Sequence, residues 1–121
     1  MSKTIVHADD SASVRRWVAE QLNDMNFRVV SVSDGEAALS LLRESHCDLL
    51  LTDLEMPNLD GLALVGAVRQ LPAHRFLPVL VLSCRHPSEF AAHRRQGVTG
   101  WMVKPIDAEH LRRWVRRVLP E

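Results

Sequence analysis

Only two cysteines occur, Cys47 and Cys84, with neither metal-ligand spacing nor a C-x-x-C pattern. That excludes a zinc module and a dithiol redox motif, and both are expected to be small buried thiols in a reducing compartment. No apolar run approaches the roughly 20 residues of a membrane span. The short apolar stretch Ile5-Val6 ends at Asp9 and Asp10, so no secretory leader is read and a cytoplasmic location is expected. The six histidines are scattered and form no metal triad. His7 falls on a strand and is expected to be a packed core imidazole, while His86, His93 and His110 fall late in the chain. There is no internal repeat, linker or low-complexity tract, and 121 residues suit one compact domain, 1–121. Lysine is scarce: Lys3 and Lys104 stand against thirteen arginines. Net charge is also absent, but only on average. Residues 1–60 hold five Lys/Arg against eleven Asp/Glu, and residues 61–121 hold ten against four. Such asymmetry points to an acidic site on one side and a basic partner surface on another.

What is present is a regular alternation. Short apolar runs recur at Ile5-Val6, Val29-Val30, Leu49-Leu50-Leu51, Val79-Leu80-Val81-Leu82 and Trp101-Met102-Val103. Runs without polar alternation read as strands covered on both faces, as in a parallel sheet. Between them lie helical stripes. Val14, Trp17, Val18 and Leu22 share one face, as do Leu111, Trp114, Val115 and Val118. Ser33-Asp34-Gly35-Glu36 fits a capping box ahead of Ala38, Leu41 and Leu42. A third helix is expected from about Leu59 to Arg69, and a fourth after Pro87-Ser88, stopped by Gly97. Five βα units predict an α/β fold with helices on both faces of the sheet.

The polar residues then fall into place. Asp9 and Asp10 follow the first strand, Asp53 the third, Ser83 the fourth and Lys104 the fifth. In an open parallel sheet these positions share the carboxyl edge, where such folds place ligands. Three carboxylates in one crevice repel and are costly to bury unpaired. Oxygen donors without Cys or a His cluster suit a hard cation, and Mg²⁺ is the natural choice. Lys104 supplies a second positive charge as a compact point charge suited to phosphate. With the cation bound, a carboxylate oxygen can attack phosphorus while the ammonium and the Ser83 hydroxyl engage the phosphoryl oxygens. Taken singly, Asp9 or Asp10 could cap a helix, Asp53 could sit in a turn, Asp60-Gly61 reads as a turn, Ser83 could be a strand-end hydroxyl, and Lys104 a solvated charge.

Val6-His7-Ala8-Asp9-Asp10-Ser11, Leu51-Thr52-Asp53-Leu54-Glu55-Met56-Pro57-Asn58-Leu59-Asp60-Gly61, Val81-Leu82-Ser83 and Val103-Lys104-Pro105 resemble, in order and approximate spacing, bacterial two-component response-regulator receivers of the CheY-like, stand-alone kind. The resemblance spans essentially the whole chain. It implies a flavodoxin-like (βα)5 doubly wound sheet of five parallel strands in order 2-1-3-4-5, the order that general accounts of the fold give for this family. It also implies that Asp53 accepts the phosphoryl group. Asp10 would bind Mg²⁺ directly, Asp9 mainly through water, and Glu55 through its backbone carbonyl. Ser83 and Lys104 would contact the phosphoryl group. The donor would be the phosphohistidine of a sensor histidine kinase or phosphotransfer protein, or a small acyl phosphate. Such a protein catalyses only its own phosphorylation and dephosphorylation.

Two positions depart from the family pattern, and two beside the site are ones that often vary in it. Trp101 stands where Tyr or Phe is usual, and is expected either to report activation with a smaller movement or to stay fixed. Cys84 replaces a usual Ala or Gly. Glu55 and Arg85, of opposite charge, are expected to pair across the site mouth. The fourth helix, fifth strand and fifth helix would form an output face bearing Arg85, Arg94, Arg95, Arg112, Arg113, Arg116 and Arg117, which suits an acidic protein partner. Direct nucleic-acid binding is not expected, because no helix-turn-helix segment is present. Motor control, phosphate relay and enzyme regulation are all roles open to a stand-alone receiver. Two other readings remain open. One is a receiver-like binding module independent of phosphorylation. The other is a Mg²⁺-dependent phosphatase of the haloacid-dehalogenase type, which places its nucleophilic Asp after the first strand and a second Asp two residues later.

Overall fold

The computed structural model describes residues 2–120. Strands β1 (Thr4–Ala8), β2 (Arg28–Val32), β3 (Leu49–Asp53), β4 (Val79–Ser83) and β5 (Gly100–Val103) form one sheet. Its order is β2-β1-β3-β4-β5, and every neighbouring pair is parallel. Every residue of β3 and β4 is buried, whereas the edge strands β2 and β5 are only partly covered. Continuous apolar runs are what doubly covered strands require.

Side chains alternate strictly between two cores. Ile5, Leu49, Leu51, Leu80, Leu82 and Met102 face one side, with Val18, Leu22, Leu111 and Val115 packed on them. Val6, Ala8, Leu50, Val79 and Val81 face the other, against Ala38, Leu42, Leu62, Leu64, Val65 and Val68. The first cover comes from α1 (Ala12–Asn23) and α4 (Ala108–Val118), the second from α2 (Gly35–Glu44) and α3 (Gly61–Arg69).

Each helix starts on a side-chain cap. Ser11, Asp34, Asp60 and Asp107 accept hydrogen bonds from the backbone N–H groups of Val14, Ala37, Ala63 and His110. Two expectations shift by a residue or two. The α2 cap is Asp34 rather than Ser33, which leaves Glu36 in the first turn where its charge suits the helix terminus. Asp60-Gly61 is a cap and first helical residue, so α3 begins at Gly61 rather than near Leu59.

The larger correction concerns the expected helix after Pro87. That segment forms two 3₁₀ turns, Pro87–Glu89 and Ala92–Arg95, so among the described residues four α-helices cover the sheet. The His86 N–H is held by Glu89 Oε2 at 2.9 Å, and His86 Nδ1 accepts from the Ser88 N–H at 3.1 Å, which closes a single tight turn. Phe90 then leaves in an extended conformation to bury its ring. His93, Arg94 and Arg95 follow, so no apolar stripe exists for a longer helix to dock. The cysteine expectation also holds only in part. Cys47 is buried, and burial pushes its thiol up to about 11. Cys84 is exposed because it follows Ser83 beyond the covered part of the sheet.

Candidate functional site

Register carries the polar residues to one edge. Ala8 lies beside Thr52, Asp53 beside Leu82, and Ser83 beside Val103. The residues just past β1 and β5, and those ending β3 and β4, therefore meet at the carboxyl end. Asp9, Asp10 and Asp53 each offer a carboxylate oxygen, all within 4.8 Å of one another. Asp9 and Asp53 are buried and Asp10 is exposed. Lys104 Nζ donates to Asp53 Oδ1 at 3.0 Å, and the Leu54 N–H donates to the same oxygen at 3.1 Å. Lys104 is itself placed by its backbone N–H, which donates to the Ser83 carbonyl at 2.8 Å. Ser83 is buried, and its Oγ accepts from the Arg85 N–H at 2.9 Å, which leaves the hydroxyl proton free to donate.

The charges do not balance within this cluster. Burial pushes the Asp53 carboxyl above the ordinary carboxylate range, Lys104 pulls against that shift, and nearby Asp9 adds to it. Lys104 lies above its ordinary value: burial lowers it, but the hydrogen bond and charge of Asp53, with Asp9 behind, outweigh burial. The lysine is thus firmly charged, yet one ammonium leaves Asp53 still seeking a proton. A hard divalent cation among three carboxylates would supply the missing charge, and the all-oxygen donor set fits Mg²⁺.

The family described as the response regulator receiver domain matches residues 5–116. The chain belongs to that family. The receiver is similar to the chemotaxis protein CheY of Pseudomonas aeruginosa, at 32% identity over 94% of each chain. It is 33% identical to a probable transcriptional regulator, ycf27, of Porphyridium aerugineum, over 95% of this chain but only 47% of that protein. Its fold superimposes on the chemotaxis response regulator CheY4 of Vibrio cholerae with a TM-score of 0.92, at 32% identity, covering 98% of this chain and 100% of that one.

Around this edge, one expectation for the receiver is corrected. Glu55 and Arg85 do not pair. Arg85 Nε instead donates to Glu89 Oε1 at 3.4 Å, and its guanidinium lies over the Phe90 ring, 4.6 Å from the centroid. The turn after Pro87 brings both partners to Arg85. Glu55 and Arg85 both line an open cleft with Asp10, Phe90 and Arg94. Arg94 also stacks on Phe90, at 5.5 Å. Trp101 is partly buried against Phe90, with ring centroids 5.5 Å apart, and its Nε1–H donates to the Arg85 carbonyl at 2.9 Å. The indole therefore ties β5 to the loop that follows Ser83.

Two contributors are not evident from the sequence reading. Ser11 donates its N–H to Asp9 Oδ1 at 2.9 Å, an Asx turn that the Asp9-Asp10-Ser11 triplet could have signalled. Gly61 lets the loop after Asp53 fold back, with its N–H donating to the Leu54 carbonyl at 2.7 Å. A Cβ at that position would lie 2.5 Å from the Asp53 carbonyl oxygen and 2.9 Å from Leu54 Cα. Gly61→Ala is therefore expected to destabilise the fold by about 2 kcal/mol, because backbone on both sides must shift. Urea denaturation checks this, and Gly66→Ala, where a Cβ meets nothing within 4 Å, is the control expected to be neutral or stabilising.

Proposed function

We propose that residues 1–121 act as one receiver domain in two-component phosphorelay signalling, with Asp53 as the phosphoryl acceptor. The observation that carries this is the Asp53 carboxylate itself: buried at a strand end, 3.0 Å from Lys104 Nζ and within 4.8 Å of two further carboxylates. Asp9, Asp10 and Asp53, with the Glu55 backbone carbonyl, would hold Mg²⁺, which when bound offsets the carboxylate charges and stabilises charge on the phosphoryl oxygens.

The residues divide the work as follows. A carboxylate oxygen of Asp53 attacks phosphorus in line with the donor. The new O–P bond forms as the bond to the donor's histidine nitrogen, or to an acyl oxygen, breaks, and the donor leaves with that electron pair. Lys104 stabilises negative charge on the phosphoryl group, and the Ser83 hydroxyl donates to one of its oxygens. Ser83 and Trp101 would transmit the change. Hydrolysis of the resulting acyl phosphate returns Asp53, so the protein acts on its own side chain rather than on an external ester.

The donor would be a sensor histidine kinase or a phosphotransfer protein. The response would be read by a downstream acidic protein at the face built from the turns at 87–95, β5 and α4. Arg85, Arg94, Arg113, Arg116 and Arg117 are exposed there, whereas Arg112 turns toward α1 and donates to Gln21 Oε1 at 2.8 Å. Among the described residues no helix is long and apolar enough to cross a membrane, which suits work in the cytoplasm.

Incubation with acetyl phosphate and Mg²⁺, followed by rapid quenching and intact mass measurement, tests the proposal. The expected result is one added phosphoryl group on the wild type and none on Asp53→Asn. No adduct, even with a phosphorylated histidine kinase as donor, would leave a binding module that works without phosphorylation.

A further inference from the structure

We infer that His7 is a positioning residue for Asp9, holding that carboxylate in the orientation with which the acidic cluster accepts a divalent cation. The inference rests on the metal reading above.

Three buried side-chain nitrogen or oxygen atoms among the described residues lack a hydrogen-bond partner: His7 Nδ1, His7 Nε2 and Asp9 Oδ2. They are not scattered. Nε2 faces Oδ2 at 3.9 Å, with the His7 and Asp9 side chains 0% and 1% exposed. Buried polar groups are nearly always paired, because an orphan forfeits its hydration without return. Packing alone does not call for an imidazole here. His7 follows the alternation that puts Ile5 in the core shared by α1 and α4, and its register neighbours are Ser31 and Leu51. An aliphatic side chain would fill that space without stranding two ring nitrogens.

Asp9 is otherwise fixed. Its Oδ1 accepts from the Ser11 N–H at 2.9 Å, and its backbone carbonyl accepts from Arg15 Nη1 at 2.7 Å. Oδ2 is the free end, and the imidazole is the polar group that faces it. The 3.9 Å gap is longer than a hydrogen bond, and closing it requires the two side chains to move toward each other. A neutral ring protonated on Nε2 then donates to Oδ2 and holds the plane of the carboxylate. Outer partners of this kind orient the groups that bind a metal.

The test is calorimetric titration of Mg²⁺ into wild type, His7→Leu and His7→Gln, with urea denaturation in EDTA at neutral pH as the folding control. Gln keeps an N–H donor at similar reach, whereas Leu keeps only the volume. His7→Leu is expected to be at least as stable as wild type in EDTA yet to bind Mg²⁺ about tenfold more weakly, with His7→Gln within about twofold of wild type. Leu and wild type binding Mg²⁺ equally, or Leu and Gln weakening equally, would overturn the inference while leaving the metal reading intact. Absence of Mg²⁺ binding by the wild type would overturn both.

Discussion

Acidifying the metal-free protein from pH 6.5 to pH 4 is expected to remove about 3 kcal/mol of stability through His7 alone. Burial, with lesser contributions from the charges of Arg15 and Lys104, lowers the His7 imidazole from 6.5 to about 4. The carboxylate of Asp9 is the acidic group facing the ring. Between those two values the unfolded chain binds a proton that the native state refuses, so stability falls as pH falls. Below about pH 4 both states carry the proton and the loss is complete. The effect is large against the whole stability of a domain this size, about 6–18 kcal/mol. Urea denaturation in EDTA across this range should show the wild-type midpoint falling faster than that of His7→Leu. Other titrating groups, Asp53 included, are common to both proteins, so the difference between the curves isolates His7. Parallel curves would mean that the imidazole is hydrated or protonated in the native state.

The sheet was legible because its signal is local and redundant. Runs such as Leu49-Leu50-Leu51 and Val79-Leu80-Val81-Leu82, alternating with helical stripes, suit strands covered on both faces of a parallel sheet, and β3 and β4 are buried throughout. The acidic edge was legible for the same reason: once strands are parallel, the residues after each one share an edge, and Asp9, Asp10 and Asp53 do meet there. The segment after Pro87 was not. Its identity depends on a contest between a helix with no apolar stripe and a turn closed by His86 and Glu89, with Phe90 drawn into the core. The Glu55–Arg85 pairing failed because opposite charge says nothing about competitors, and Glu89 and the Phe90 ring engage Arg85 instead. His7 was read correctly as a packed core residue. That neither nitrogen has a partner is a property of its surroundings, which no pattern of residues along the chain reports.

Asp53→Asn is expected to abolish phosphoryl addition and at the same time to make the metal-free protein more stable. The two effects have one cause. Burial beside Asp9 disfavours the ionised Asp53 carboxylate, and Lys104 only partly compensates. Ionised in the native site, that carboxylate costs folding free energy. An amide removes the charge and still offers an oxygen to Lys104 Nζ and to the Leu54 N–H, the two donors that Asp53 Oδ1 serves. Lys104 loses an ionic partner, but it is 27% exposed and retains water. The gain in EDTA should be about 1 kcal/mol, or about 4 °C in melting temperature, typical of relieving strain held at a functional site. Mg²⁺ should then reverse the order. A ligand that binds only the native state stabilises in proportion to its affinity, and the wild type offers the fuller set of carboxylates. Thermal melts of both proteins in EDTA and across a Mg²⁺ series measure this directly. Curves that cross as Mg²⁺ rises would tie the instability of the empty site to the charge that a cation neutralises. An Asn variant less stable in EDTA would mean that the Lys104 ion pair outweighs the burial of Asp53 beside Asp9, and that the native site without metal is already balanced.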